Sequence, residues 1–456
     1  MKKNIFIYAA QLALLVVGML PLATSSQTLK EIYLRPAYWR PYDKTGINIF
    51  ETSKQPDSIP FDGLRFRIGA GFTQQYQNLK HENPGAANFQ TSNKLYPLVP
   101  GFMTAQANLN VDVQLADGIR LKLETYLSSR HHNETWVKGG YIQFDKLPFK
   151  GVFWENLMKV TTIKMGHMEV NYGDAHFRRS DGGQAMYNPF MESYIMDAFA
   201  TEIGGEVYVQ KNGLFGMVGL TNGMLKGNVD SVVKTVQDDN INRSPSLYFK
   251  GGFDSQVSEN VRIRFSGSYY HNSSSAASGL TLYGGDRTGS NYQNVMEKAP
   301  VGVPLPSGTA IAFSGRLNPG FSKKVDAVML NGFLKMKGLE LFGTVEKVQG
   351  RTKTELYNRK ASQLAVEAVY RFGKDENLYI GTRYNTAKAS LANTALVTYT
   401  NDIKVNRCAA VAGWFVTKNI LMKGEYVVQQ YKDFPAADYR SSGKFSGYVI
   451  EAVVGF

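Results

Sequence analysis

One cysteine, Cys408, stands in a chain of 456 residues. A lone thiol excludes an intramolecular disulfide framework and any cysteine-rich metal site. Long apolar runs are equally scarce. Beyond residue 26 no stretch approaches the roughly 18 apolar residues that a spanning helix needs, and the mean hydropathy is −0.26. Catalytic signatures are missing too: there is no Gly-x-Ser-x-Gly, His-Glu-x-x-His, Walker-type or dinucleotide glycine pattern. Of the six histidines, His131 and His132 share a short segment with Glu134, a weak surface-metal signal. His167, Glu169, Asp174 and His176 superficially form a hydrolytic set. Alternation puts the first two on one strand face and the others on the following loop, so a polar lining explains them more simply. No enzyme activity, metal or cofactor is expected.

At the N-terminus, Lys2 and Lys3 precede an apolar stretch from Ile5 to Leu20, followed by small residues around Ala23 to Ser26. This is the pattern of a secretory signal peptide, residues 1–26. The net charge is +13, which in an exported chain points to anionic solutes or lipid headgroups, with no nucleic acid among the partners.

Period-two alternation recurs along the rest of the chain. "LRFRIGAGF" sets Leu64, Phe66, Ile68 and Phe72 against Arg65 and Arg67. "IRLKLETYL" opposes Ile119, Leu121 and Leu123 to Arg120, Lys122 and Glu124, and "VRIRFSGSY" opposes Val261, Ile263 and Phe265 to Arg262 and Arg264. The last residues, "SGYVIEAVVGF", place Tyr448, Ile450, Ala452, Val454 and Phe456 on one wholly apolar face. Such strands have different solvents on their two sides. A soluble sandwich alternates as well, but these strands often exceed ten residues and their aromatics concentrate near strand ends.

Connection lengths separate the two folds. Tight turns fall at 115–119, 210–214, 256–260, 335–339, 372–377 and 416–419. Longer polar segments fall at 79–101, 129–135, 174–199, 223–245, 273–324, 351–360, 390–401 and 432–442. Working back from Phe456, every tight turn lies on one side and every long loop on the other. The expected fold is all-β: a transmembrane antiparallel β-barrel of about sixteen strands over residues 61–456, with short periplasmic turns and long extracellular loops. That count assigns the strand-like 309–317 to a loop; eighteen strands would need a second hidden strand in 273–308. Phe456, with Tyr448 on its face, marks the closure of the barrel and the place for a C-terminal assembly signal.

Two segments carry candidate functional residues. The third long loop, "GDAHFRRSDGGQAMYNPFMESYIMDAF" (173–199), is long and apolar enough to fold into the lumen and narrow the pore. Arg178 and Arg179 would then attract anions beside His176, with Asp174, Asp181 and Glu192 as counter-charges. The alternative is an external lid paired to its own acids. A second group, Arg65, Arg67, Arg120, Lys122, Arg262, Arg264, Arg371 and Lys423, is expected to face inward near the turns. It forms either a cationic funnel or a set of pairs with Glu124, Glu367 and Glu425. Residues 27–60, rich in proline and aromatics, read as a periplasmic extension docked at the barrel mouth or inside it, with disorder as the alternative.

The strand parity, the third loop and the terminal Phe456 resemble the general and phosphate-selective families of bacterial outer-membrane porins. "MGHMEVNYGDAHFRRSDGGQAMYNPF" with "MDAFATEIGGEVYVQKNGLFGMVGLTNG" also resembles porin-like proteins of Bacteroidota. The resemblance implies an outer-membrane location and passive diffusion of small hydrophilic solutes, anions preferred. It also implies assembly by the barrel-assembly machinery and a homotrimer. Arg178 and Arg179 are the candidates for the phosphate-selective family's anion-binding constriction. Two other functions stay open: a fatty-acid-type transporter with an N-terminal plug, and a non-conducting component of an outer-membrane complex.

Overall fold

A computed structural model of the chain describes residues 36, 38–51, 54, 59–84, 93–103, 105–128, 136–223, 234–237, 244–273, 282–286, 288–299 and 313–456. The leader, residues 27–35 and the His131, His132 and Glu134 group lie outside them. The strands are β1 (Arg65–Glu82), β2 (Gly101–Phe102), β3 (Gln106–Ala116), β4 (Ile119–Ser128), β5 (Trp136–Phe144) and β6 (Thr161–Glu169). Then come β7 (Thr201–Lys211), β8 (Leu214–Thr221), β9 (Leu247–Ser258), β10 (Val261–Asn272), β11 (Lys324–Met336) and β12 (Leu339–Arg351). The last five are β13 (Arg359–Phe372), β14 (Leu378–Ala389), β15 (Ile403–Thr417), β16 (Ile420–Lys432) and β17 (Lys444–Gly455).

From β3 onward each strand pairs antiparallel with its sequence neighbour, and β1 closes the sheet. One edge of β1 meets β3; the other meets β17 from Gly71↔Gly455 to Glu82↔Lys444. The wall therefore has sixteen strands, and the two-residue β2 adds a rung beside Tyr76 and Gln77. At the seam, the Phe456 N–H donates to the Ala70 carbonyl at 3.0 Å and the Ala70 N–H returns a bond of 2.8 Å. The six tight turns all lie at one end. Between β7 and β8, Asn212 and Gly213 hold φ of 52° and 83°, the positive values that a two-residue hairpin demands. Residues 313–317, the described part of the strand-like 309–317, form turns and extended chain.

The seventh connection at that end differs. Between β5 and β6 the chain forms a short helix, α1 (Val152–Met158). Val152, Phe153 and Trp154 are consecutive, a pattern with neither the period of a strand nor that of a long helix.

Outward side chains are apolar around the wall: Phe66 and Ile68 on β1, Val207 on β7, Phe265 on β10, Leu330 on β11, Val366 on β13 and Ile450 on β17 are all exposed. Water would make so continuous an apolar belt unstable. A closed sheet with no free edge and an apolar exterior is the solution for hydrocarbon. The chain is an integral outer-membrane β-barrel.

The inner face divides in two. Along β3–β7 and near the turns it is charged. On much of β11–β17 it is apolar, with Val325, Ala327, Val348, Val405, Val427 and Val449 buried. Residues 170–200, 282–286, 288–299 and 313–323 cover this apolar half, and Phe190, Met191, Ile195 and Phe321 are wholly buried. Their backbone can leave water because the wall supplies acceptors. The N–H groups of Met191, Ile195 and Met196 donate to Glu425 (3.0 Å), Asn385 (2.7 Å) and Gln363 (2.8 Å).

Candidate functional site

Residues 38–51 cross the turn end of the lumen as a strap. Its Tyr42 hydroxyl donates to Asp112 on β3 at 2.6 Å. The Lys44 N–H donates to the Lys418 carbonyl at 2.8 Å, and its ammonium reaches the Asp375 carbonyl and Asn377 on the opposite rim. Asn48 donates to Glu340 at 2.8 Å. The wall is shaped to receive the strap, since a Cβ on Gly69 or Gly455 would collide with Tyr42.

Above the strap sits the segment 170–200. Arg178 is 5% exposed and donates to Asn48 of the strap (2.6 Å) and to Glu367 of β13 (3.0 Å). Arg179, 2% exposed, grips Asp197 with two bonds of 2.5 and 2.9 Å. Asp174 accepts from Arg264 at 2.7 and 2.8 Å and pairs with Lys250 at 2.8 Å. Asp181 meets Lys138 at 2.5 Å, and Glu192 meets Arg316 at 2.7 Å. His176 bonds Asn171 at 2.8 Å and lies 3.4 Å from Glu169. The two arginines are thus held by buried carboxylates. Of the sequence's apparent hydrolytic set, His176 meets Glu169 while Asp174 is held apart by Arg264 and Lys250.

The basic residues of the wall do face inward, most of them against an acid. Arg65 meets Asp62 (2.8 Å), Arg67 meets Asp112 (2.6 Å), Arg262 meets Asp254 (2.8 Å) and Arg371 meets Glu340 (2.8 Å). Lys423 pairs with Glu451 at 2.5 Å and donates to the carbonyls of Ala185, Asn188 and Phe190. It ties the loop to the wall. Lys122 is looser, 3.6 Å from Glu124.

Between the strap, the loop and β3–β7 lies a cavity of about 170 Å³. Three cations on it have no carboxylate partner among the described residues. Arg40 donates to the carbonyls of Gly46 and Phe177 and lies 3.8 Å over the Tyr187 ring. Arg120 donates to Gln143 and faces the Tyr38 ring at 5.0 Å. Lys164 reaches the Tyr208 hydroxyl at 3.4 Å. The cavity's acids, in contrast, are mostly engaged; Glu169, with only His176 at 3.4 Å among the described residues, is the exception. Glu51 is held by Lys250 and Arg264, Asp112 by Arg67, Glu124 by Lys138, and Glu206 by the hydroxyls of Tyr208 and Tyr248. Alternation on β5 and β6 was enough to turn Lys138 and Lys164 inward; Arg40 and Glu51 lie on the strap, where no period guides the reading.

Burial alone would raise the Glu51 carboxyl, but Lys250 and Arg264 outweigh it and hold it at about 2, below its ordinary 4.5. A carboxyl depressed by folding stabilises above pH 4.5, and that contribution drains away as pH falls toward 2. Tryptic cleavage of the strap is therefore expected to rise between acid-treated samples of pH 4.5 and 2.5, and Glu51→Gln to flatten that rise. A flat wild-type profile would show that this clamp does not hold the strap. Asp181 moves the other way. Burial pushes it to about 7, with Lys138 opposing and the Asp286 carboxylate assisting.

No protein-family model matches the chain, and no curated protein matches it. Among solved structures it is similar to OmpT, an outer membrane protein of Vibrio cholerae, at 9% identity over 87% of this chain and 99% of that one, with a TM-score of 0.48. The anion-selective porin from Comamonas acidovorans is similar at 9% identity over 86% and 100% of the two chains, TM-score 0.49. The outer membrane channel DcaP of Acinetobacter baumannii is similar at 11% identity over 86% and 98%, TM-score 0.46.

Proposed function

We propose that this barrel is a porin-type channel for small hydrophilic solutes with a preference for anions, and that solute passes the cavity beside β3–β7. The observation that carries the reading is the set of three cations without carboxylate partners among the described residues, Arg40, Arg120 and Lys164, on a cavity whose acids, Glu169 apart, are engaged. Positive charge against low-dielectric walls concentrates anions. On this reading Arg178 and Arg179 fix the loop in place and the cavity cations select. Recognition of the Phe456 end by the barrel-assembly machinery and assembly as a homotrimer belong to the same proposal.

The strap favours a second reading, a plugged transporter of apolar substrates. The cavity's charged lining speaks against it, as does the burial of the apolar half of the inner face under residues 170–200. Bilayer recordings in a tenfold KCl gradient separate the readings. Wild type should give ohmic steps with a reversal potential displaced toward chloride's. Arg120→Gln plus Lys164→Gln should move it most of the way to zero, whereas Lys211→Gln plus Lys374→Gln at exposed turns should hardly move it. Equal shifts from both pairs would end the cavity claim, and electrical silence would end the channel claim.

A further inference from the structure

We propose that α1 is an interfacial anchor whose outer face lies among the phospholipid headgroups of the periplasmic leaflet. Met158 is buried, and the half-buried Trp154 meets Phe149 at a tilt and Phe153 edge-on, at ring distances of 5.2 and 5.0 Å. The outer side is uncovered and mostly apolar: Phe149, Val152 and Phe153 are 55, 71 and 68% exposed, Leu157 adds to them, and Asn156 is the polar residue among them. Apolar side chains gain free energy on leaving water, so a cluster of four left in it is a costly arrangement for a turn.

Two observations identify the occupant as lipid. The first is continuity. Only Lys159 and Val160 separate α1 from β6, so the helix end is within about 10 Å of the wall, at up to roughly 3.6 Å per residue. There Ile142 on β5 and Met165 on β6 already face outward into hydrocarbon. The second is charge. Lys150 and Lys159 are exposed beside this face against the single acid Glu155. A short segment with aromatic and aliphatic side chains on one face and lysines at its edges fits the zone between acyl chains and anionic headgroups. An anchor there fixes the depth of the barrel in the membrane at the one turn that is long enough to carry it.

Site-directed spin labelling tests this on the full mature barrel. In a Cys408→Ser background, single cysteines are placed by Phe153→Cys, by Ile450→Cys on the lipid-facing wall and by Lys374→Cys on a tight turn. Each is labelled and reconstituted in phosphatidylethanolamine–phosphatidylglycerol vesicles, with heat-modifiable migration checking the fold. The label at 153 should be clearly more shielded from a water-soluble nickel chelate, relative to oxygen, than the label at 374, and fall between it and the label at 450. A label at 153 as open to the chelate as the one at 374 would overturn the anchor and leave the face to a protein partner.

Discussion

Deleting residues 27–51 is expected to raise single-channel conductance several-fold while leaving the barrel folded. The strap lies across the turn end of the lumen, with contacts on both sides of the rim. Removing it clears the turn end of the lumen. The wall should tolerate the loss because the charges that the strap engages have second partners. Arg264 and Lys250 keep Asp174 when Glu51 goes, Glu340 keeps Arg371 when Asn48 goes, and Asp112 keeps Arg67 when Tyr42 goes. No buried charge is orphaned, which is the condition that makes such deletions destructive. Recordings of the truncated barrel beside the full chain decide the matter. Unchanged conductance in a folded, heat-modifiable barrel would mean that the strap does not limit flow and that the constriction lies with residues 170–200.

The wall was legible in the sequence because lipid imposes a strict period of two and hairpins impose turn chemistry. Leu64 to Phe72 and Tyr448 to Phe456 carry both signals, and the alternation of short and long connections gave the closure. The interior was less legible. On stretches of β11–β17 both faces of the strand are apolar, so alternation could not show that Val325 or Val427 faces a loop rather than water. Residues 173–199 advertised their apolar content, yet their charges could only be counted. Arg178 and Arg179 are adjacent, but their acids lie 189 and 18 residues away. Distance in sequence hides which charges are free, and that is why the three cavity cations were not separated from the paired ones.

The pairing of Arg179 makes an asymmetric prediction. Asp197 has two cationic partners, Arg179 at 2.5 Å and Arg316 at 3.0 Å. Arg179 has the 3.6 Å approach to Asp181 and the more distant Asp286 to fall back on, neither of them a bidentate partner, and it is 2% exposed. Asp197→Ala therefore strands a guanidinium in the interior, at a cost of about 3–5 kcal/mol, the usual range for breaking a buried pair. Arg179→Ala should cost clearly less, because Arg316 still neutralises Asp197. The double substitution should recover part of the Asp197→Ala loss, since it removes the stranded charge along with its partner. Trypsin reads the outcome, for Arg178 is a cleavage site only when the loop leaves the lumen. Cleavage there should be fast in Asp197→Ala and slow in Arg179→Ala and wild type, with the double variant between. Were Arg179 an open selectivity charge, neither substitution would expose the loop and both would shift the reversal potential, in opposite directions. That pattern would return the anion-selecting role to the third loop.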